Sequence, residues 1–266
     1  MIMFRISGWS LIRLFTIMVY VFMFLPIVVV IILSFDTQQF ASFPMRGFTF
    51  KWYGELAQNE SIIRAFRSSI MLGLLAALFS TAIAIPAAMA FVRYSFRGKN
   101  SLNTLLLAPI MVPEVVLGVS LLLFMRFLQQ PKSFTMLLLG HIMLTLPYVL
   151  LIVQARMVSI QGVYEEAAKS LGANPFQAFK EVTFPLLVPA ILAGMLFAFT
   201  ISFDNITATL FWATAEHQTV PVRIFGMLRH SISPEINALG TVMIFFTIML
   251  PLTAAFMIRY FGRKKV

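Results

Sequence analysis

Six long apolar runs alternate with short polar segments along the chain, at roughly 14–35, 68–92, 102–125, 135–155, 187–212 and 237–258, and neither Lys nor Arg interrupts any of them. Each is close to the ~20 residues an α-helix needs to cross a bilayer core. The pattern predicts an all-α membrane protein: one transmembrane domain over 1–266, with six transmembrane helices. The first run is too long for a signal peptide and lacks a small-residue cleavage site, so it reads as an uncleaved anchor.

One polar interruption is both long and patterned. Over 164–191 the chain reads YEEAAKSLGANPFQAFKEVTFPLLVPAI. A helix ending at Leu171 favours at Gly172 a residue that tolerates positive φ. Asn174 is suited to cap a second helix, with Pro175 at its first position, where a missing N–H costs nothing. Two short helices joined by a sharp bend are therefore expected within a loop over about 157–186. The small side chains of Ala167 and Ala168 beside Glu166 suit close approach of another protein's groove better than burial in lipid.

Composition sharpens this picture. Hydrophobic residues make up 60% of the chain and charged residues 11%, against roughly 25% charged in soluble domains, and the mean hydropathy is +0.91. There is no Cys, which excludes disulfides, thiolate metal sites and thiol catalysis. The net charge of +10 is spread over the ends of the apolar runs, not gathered with aromatics on a polar domain, so it does not point to nucleic acid. With both termini cytoplasmic, twelve Lys and Arg fall inside and eight outside, which agrees with the positive-inside rule and places the bend in the cytoplasm.

Pro26, Pro86, Pro109, Pro113, Pro147, Pro185, Pro189 and Pro251 lie in or beside the runs. They predict kinks and local unwinding, which membranes tolerate where neighbouring groups or water satisfy the freed backbone. Outside the membrane, the segment 36–67 is rich in aromatics, including Phe48, Phe50, Trp52 and Tyr53. These suit either a soluble partner or the membrane interface. Ser233, Pro234 and Glu235 read as the cap, first-turn proline and dipole-matched acid that start the sixth run.

The only formal charges inside the six runs are two acids, Glu114 and Asp204. A carboxylate at membrane depth costs on the order of 2.5–3.5 kcal/mol, so it faces a cavity or a partner. With no basic residue in the runs to neutralise them, the pair favours a cationic ligand. The competing reading is structural: capping of a broken helix, bonding to Ser or Thr, pairing with another chain's base, or protonation. Ser120, Ser202, Asn205 and Trp212 are weaker pathway candidates, and His141, alone in an apolar run, reads as a hydrogen-bonded packing residue.

No catalytic constellation is present. The chain has no G-x-x-x-x-G-K-[ST] loop, since Gly98 and Lys99 lack the upstream glycine, and it has neither an H-E-x-x-H nor a G-x-S-x-G motif. No acidic metal cluster is apparent.

The segment Glu166, Ala167, Ala168, Gly172, Val182, Phe184 and Pro185 resembles the cytoplasmic EAA motif of permease subunits of ATP-binding-cassette importers, with Val and Phe where that pattern has Ile and Leu. The strings FTFKWY (48–53), RYSFRGK (93–99), VPEVVLGVSLL (112–122) and ISPEINAL (232–239) extend the resemblance over nearly the whole chain, toward the smaller spermidine/putrescine-type permeases. That resemblance implies a multi-pass inner-membrane subunit importing a small organic cation by alternating access. Its partners would be a second permease subunit, two ATPase subunits that hold ATP and Mg, and a periplasmic solute-binding protein.

The resemblance also implies ATPase coupling through Glu165, Glu166, Ala167, Ala168, Gly172 and Pro185, by a coupling elbow between helices 4 and 5. It implies a substrate pathway at Glu114, Asp204, Asn205 and Trp212. In that family an acidic pair commonly occurs in the fifth span. Here Asp204 matches the first member and Asn205 replaces the second, which leaves open another cargo such as an aminophosphonate, an opine, an amino-acid derivative, ferric ion or sulfate. An ion-coupled secondary transporter is the remaining transport alternative, but no clear internal repeat supports it.

Overall fold

The computed structural model describes residues 8–38, 45–229 and 234–262. In chain order the helices are α1 (Gly8–Leu33), α2 (Lys51–Gln58), α3 (Glu60–Arg93), α4 (Lys99–Met111), α5 (Glu114–Phe127), α6 (Phe134–Ser159), α7 (Val163–Ser170) and α8 (Pro175–Ala178). A π-helical turn (Phe179–Thr183) follows, then α9 (Phe184–Asp204), α10 (Thr209–Trp212), α11 (Val220–Leu228) and α12 (Pro234–Gly262). Among the described residues the only extended pairing is an isolated bridge between Asp36 and Phe48. The chain divides into two compact units, Met1–Glu60 with Gly226–Phe246, and Ser61–Phe225 with Thr247–Val266.

In the first unit, α1 is apolar on every side, and none of its most apolar window is buried. The aromatic segment after it is a built cluster. The Trp52 indole donates to the Asp36 carbonyl at 2.7 Å, and the Ser34 and Tyr53 hydroxyls meet at 2.6 Å. Phe35 stacks on Phe48 with ring centroids 4.6 Å apart and meets Phe50 edge-on at 5.3 Å.

In the second unit the most extensive packing is between α6 and α9. Small residues let these helices approach, as expected where lipid removes the hydrophobic drive for association and close packing must supply it. A Cβ on Gly194 would meet Val149 at 3.1 Å, and one on Gly73 would meet the Phe199 ring at 2.9 Å. Gly140 is tighter still: a Cβ there would lie 2.4 Å from the Trp212 ring, so only glycine leaves room for the indole.

Among the described residues, five helical segments are long and apolar enough to cross a membrane: Leu11–Leu33, Glu60–Arg93, Phe134–Ser159, Pro175–Asp204 and Pro234–Thr253. The run expected as a single third helix at 102–125 is broken, with α4 and α5 meeting at 110°. The cause is local. Val112 is extended, at φ −97° and ψ 130°, as a residue before proline prefers, and Pro113 offers no N–H to continue the helix.

The fifth run, expected to continue to 212, ends as a helix at Asp204, where Asn205 turns to an extended conformation. At its other end the helix begins earlier than 187, running without interruption from Pro175 through the π turn. The cap expected at Ser233 lies outside the described residues, and α12 opens at Pro234 with Glu235 in its first turn.

Candidate functional site

Two groups of sequence-predicted residues occupy different parts of the second unit. The first surrounds the two helix breaks. Glu114 opens α5, immediately after the break at Pro113, and Asp204 closes α9 immediately before the break at Asn205. The Asn205 amide nitrogen donates to Glu114 Oε2 at 2.9 Å, so residues 91 positions apart meet where both helices are interrupted. Asp204 Oδ1 accepts from the Thr247 hydroxyl on α12 at 2.9 Å.

The environments of these residues differ. Glu114 is exposed on the chain, Asp204 is half-buried and Asn205 is buried. A carboxylate in the first turn of a helix lies at the positive end of its dipole, which favours Glu114 at this position. Trp212 is fully buried. Its indole N–H donates to the Gly118 carbonyl at 2.8 Å, and its ring packs over Gly140. Trp212 thus sits inside the fold, behind the break and away from the exposed surface that carries Glu114.

Behind Asn205 lies a buried polar cluster that the sequence reading did not assemble. Asn205 Oδ1 accepts from the Thr209 backbone N–H at 3.2 Å and from the Thr209 hydroxyl at 2.9 Å. Thr209 Oγ1 lies 3.1 Å from His141 Nε2, and His141 Nδ1 lies 2.8 Å from Ser202 Oγ. The Thr145 hydroxyl donates to the His141 carbonyl at 2.8 Å and meets Ser80 at 2.7 Å. His141 is completely buried and hydrogen-bonded through both ring nitrogens, as the hydrogen-bonded residue read from the sequence requires.

The second group is the polar bend between α6 and α9. Helix α7 closes with two backbone bonds: Gly172 N–H donates to Lys169 at 3.0 Å and Ala173 N–H to Ala168 at 3.1 Å. This paired closure uses Gly172 at φ +91°, a conformation that costs glycine little. The chain restarts within two residues. The Asn174 side chain accepts from the Gln177 N–H and the Gln177 side chain accepts from the Asn174 N–H, both at 2.9 Å, with Pro175 in the first turn. The Gln177 half of this reciprocal cap was not read from the sequence.

Glu166, Ala167, Gly172 and Pro185 are exposed, and Ala168 is half-buried. Around the bend, Leu171 is 90% exposed and Phe176 is 70% exposed. Glu165 has a different role. Its Oε1 accepts from Arg93 Nε at 3.0 Å and from the Thr183 hydroxyl at 2.8 Å, while Arg93 also donates to the Ile160 carbonyl at 2.8 Å. One carboxylate oxygen thus ties α7 to the end of α3 and to the π turn. Arg93→Ala should cost about 2 kcal/mol, the range for hydrogen bonds to a charged group, and should show as a lowered thermal midpoint in detergent and faster amide exchange across 163–183.

The family described as "Binding-protein-dependent transport system inner membrane component" matches residues 80–266. The spermidine/putrescine transport system permease protein PotC of Escherichia coli (strain K12) is 32% identical over 241 residues, covering 91% of each chain. The putrescine transport system permease protein PotI of the same strain is 30% identical over 245 residues, covering 90% of this chain and 86% of its own. Among solved structures, a chain of a bacterial ABC transporter that imports the acidic polysaccharide alginate superposes with a TM-score of 0.77 at 17% identity, covering 95% of this chain and 96% of its own.

Proposed function

The chain belongs to the family of binding-protein-dependent transport system inner membrane components, and from that premise we propose that it is the translocating subunit of an importer for a small organic cation of the polyamine type. The observation that carries this reading is the meeting of Glu114 and Asn205 at two helix breaks, with Asp204 adjacent. The six apolar runs hold these two acids and no Lys or Arg, the basic residues of the spanning helices lying near their ends. Intramembrane carboxylates mark substrate and ion pathways, and with no basic residue bonded to either acid among the described residues, a mobile cation supplies the counter-charge in this reading.

Similarity to PotC and PotI, named for spermidine/putrescine and putrescine transport, supports the same cargo class. The fold alone does not select it, because the alginate importer shares the architecture with an acidic cargo.

Breaks in two helices at one point also support alternating access. Each break releases backbone groups that neighbouring helices, side chains or water in a cavity must satisfy, and each provides a hinge next to an acidic side chain. On the cytoplasmic side, the exposed Leu171 and Phe176, beside Glu166, Ala167 and Gly172, form an apolar and acidic knob suited to the groove of an ATPase subunit. A second permease subunit, two ATPase subunits holding ATP and Mg, and a periplasmic solute-binding protein complete the proposed assembly, with both termini cytoplasmic.

The test is ATP-dependent uptake of labelled putrescine by the complete complex in proteoliposomes, with spermidine, neutral amino acids, an aminophosphonate and sulfate as competitors. Competition by amines alone is the expected result. Competition by a zwitterion or an anion, or ATP-driven uptake of another solute without putrescine uptake, overturns the cargo assignment.

A further inference from the structure

We infer that His141 is a positioning residue for the cation site, acting on Glu114 through Thr209 and Asn205; the inference rests on the reading of Glu114 as a cation-facing carboxylate. With a neutral His141 ring, the hydrogen-bond geometry behind Asn205 allows only one arrangement of donors. A backbone N–H can only donate, so the Asn205 atom facing the Thr209 N–H is the oxygen, and the amide nitrogen must face Glu114. Because that oxygen carries no hydrogen, the Thr209 hydroxyl proton also points at it. Thr209 Oγ1 is left with lone pairs alone toward His141, so the ring must supply Nε2–H across the 3.1 Å contact. Nδ1 of a neutral ring is then the acceptor for the Ser202 hydroxyl.

The result is a one-way series of donors: Ser202 hydroxyl to His141 Nδ1, His141 Nε2–H to Thr209, Thr209 hydroxyl to Asn205 Oδ1, and Asn205 Nδ2–H to Glu114 Oε2. The other ring tautomer sets two lone pairs against each other at Thr209 in a completely buried site, leaving acceptors unpaired. Donors aligned in one direction polarise one another. This series runs from the core to the one exposed carboxylate at the breaks.

The outcome at Glu114 is geometric. Oε2 is held by an amide that is itself fixed at its oxygen by two donors from Thr209, so the amide cannot swing after the carboxylate without undoing those bonds, and its N–H stays aimed at one place. Oε1 accepts no hydrogen bond from the described residues and is the oxygen presented to the translocated cation. Packing alone requires none of this polarity, since a ring of similar volume fills the space beside Trp212, which meets His141 edge-on at 6.0 Å between centroids.

The experiment measures labelled putrescine uptake against concentration by the complete importer in proteoliposomes, for Thr209→Val, His141→Gln, Glu114→Gln and the Thr209→Val/Glu114→Gln double variant. Thr209→Val keeps the shape and the backbone N–H to Asn205, so the fold is retained while the ring is disconnected from the amide. The expected result is a KM raised about tenfold with kcat held within about twofold. His141→Gln, which still offers an N–H, loses less. The double variant is no worse than Glu114→Gln alone.

In 15N-histidine spectra, the signals that disappear in His141→Gln are those of a protonated Nε2 and a bare Nδ1. The reverse tautomer overturns the inference. Losses that multiply in the double variant overturn the positioning role and leave the cation reading standing. Uptake untouched by Glu114→Gln alone removes both.

Discussion

Gly172→Val should reduce ATP-driven uptake by more than about tenfold, a loss of coupling of roughly 1.4 kcal/mol or more, while the chain still inserts and binds its partners. The cause is backbone strain: a Cβ at position 172 meets nothing within 4 Å, but the residue sits at φ +91°. A left-handed conformation costs an L-residue about 1–2 kcal/mol, and a β-branched side chain is among the worst suited to it. The chain escapes by moving residue 172 to negative φ. That movement breaks the bonds from Gly172 to Lys169 and from Ala173 to Ala168 and redirects α8 relative to α7.

Stability changes little, because the bend is exposed, but the orientation of the Leu171 and Phe176 knob is lost. Uptake and ATPase activity measured together check this, with Gly172→Asn as the milder comparison, since Asn tolerates the left-handed region. Normal coupled uptake by the Val variant removes the bend from the coupling path.

Asp204→Asn should lower putrescine uptake about tenfold, the order expected for one charge interaction of 1.4 kcal/mol, without loss of assembly. The substitution is close to isosteric, and its amide oxygen still accepts from the Thr247 hydroxyl, so the link between α9 and α12 at 2.9 Å is kept. What disappears is the negative charge at the end of α9. Size-exclusion chromatography of the complex and uptake kinetics separate the two possible roles. Unchanged uptake with an intact complex assigns Asp204 to packing alone.

The bend between α6 and α9 was legible because its physics is local: Gly172, Asn174 and Pro175 each act within a few residues of themselves. The same holds for the break at Val112 and Pro113 in outline, since the prolines mark it. Its 110° angle was not readable, because hydropathy registers what a segment dissolves in and not which way its backbone runs. The overrun of the fifth run to 212 has a related cause. Ala208 and Trp212 are apolar because they fill the protein interior and not because they face lipid, and a hydropathy window scores the two alike.

The remaining misses are long-range. The tie from Arg93 to Glu165 spans 72 positions. His141 meets Ser202 and Thr209 across 61 and 68 positions, so in sequence it stood alone. Replacement of an acid by Asn205, legible only as a lost charge, proves in the structure to supply the donor that Glu114 accepts. A second carboxylate at that position would face Glu114 with no hydrogen between them unless one of the pair held a proton.

Helix α1 presents bulky side chains on every side and contains neither Gly nor Ala between Leu11 and Leu33, whereas α3 and α6 meet α9 at Gly73 and Gly194, and α6 makes room for Trp212 of α10 at Gly140. Without small residues of its own, α1 admits a neighbouring helix closely only where that helix supplies one, as α12 does with Gly240 beside Val30, and apolar bulk alone gives little attraction inside a solvent that is itself apolar. Within the chain, substitution among large hydrophobic residues should therefore drift freely in α1, while the glycines of the second unit stay fixed.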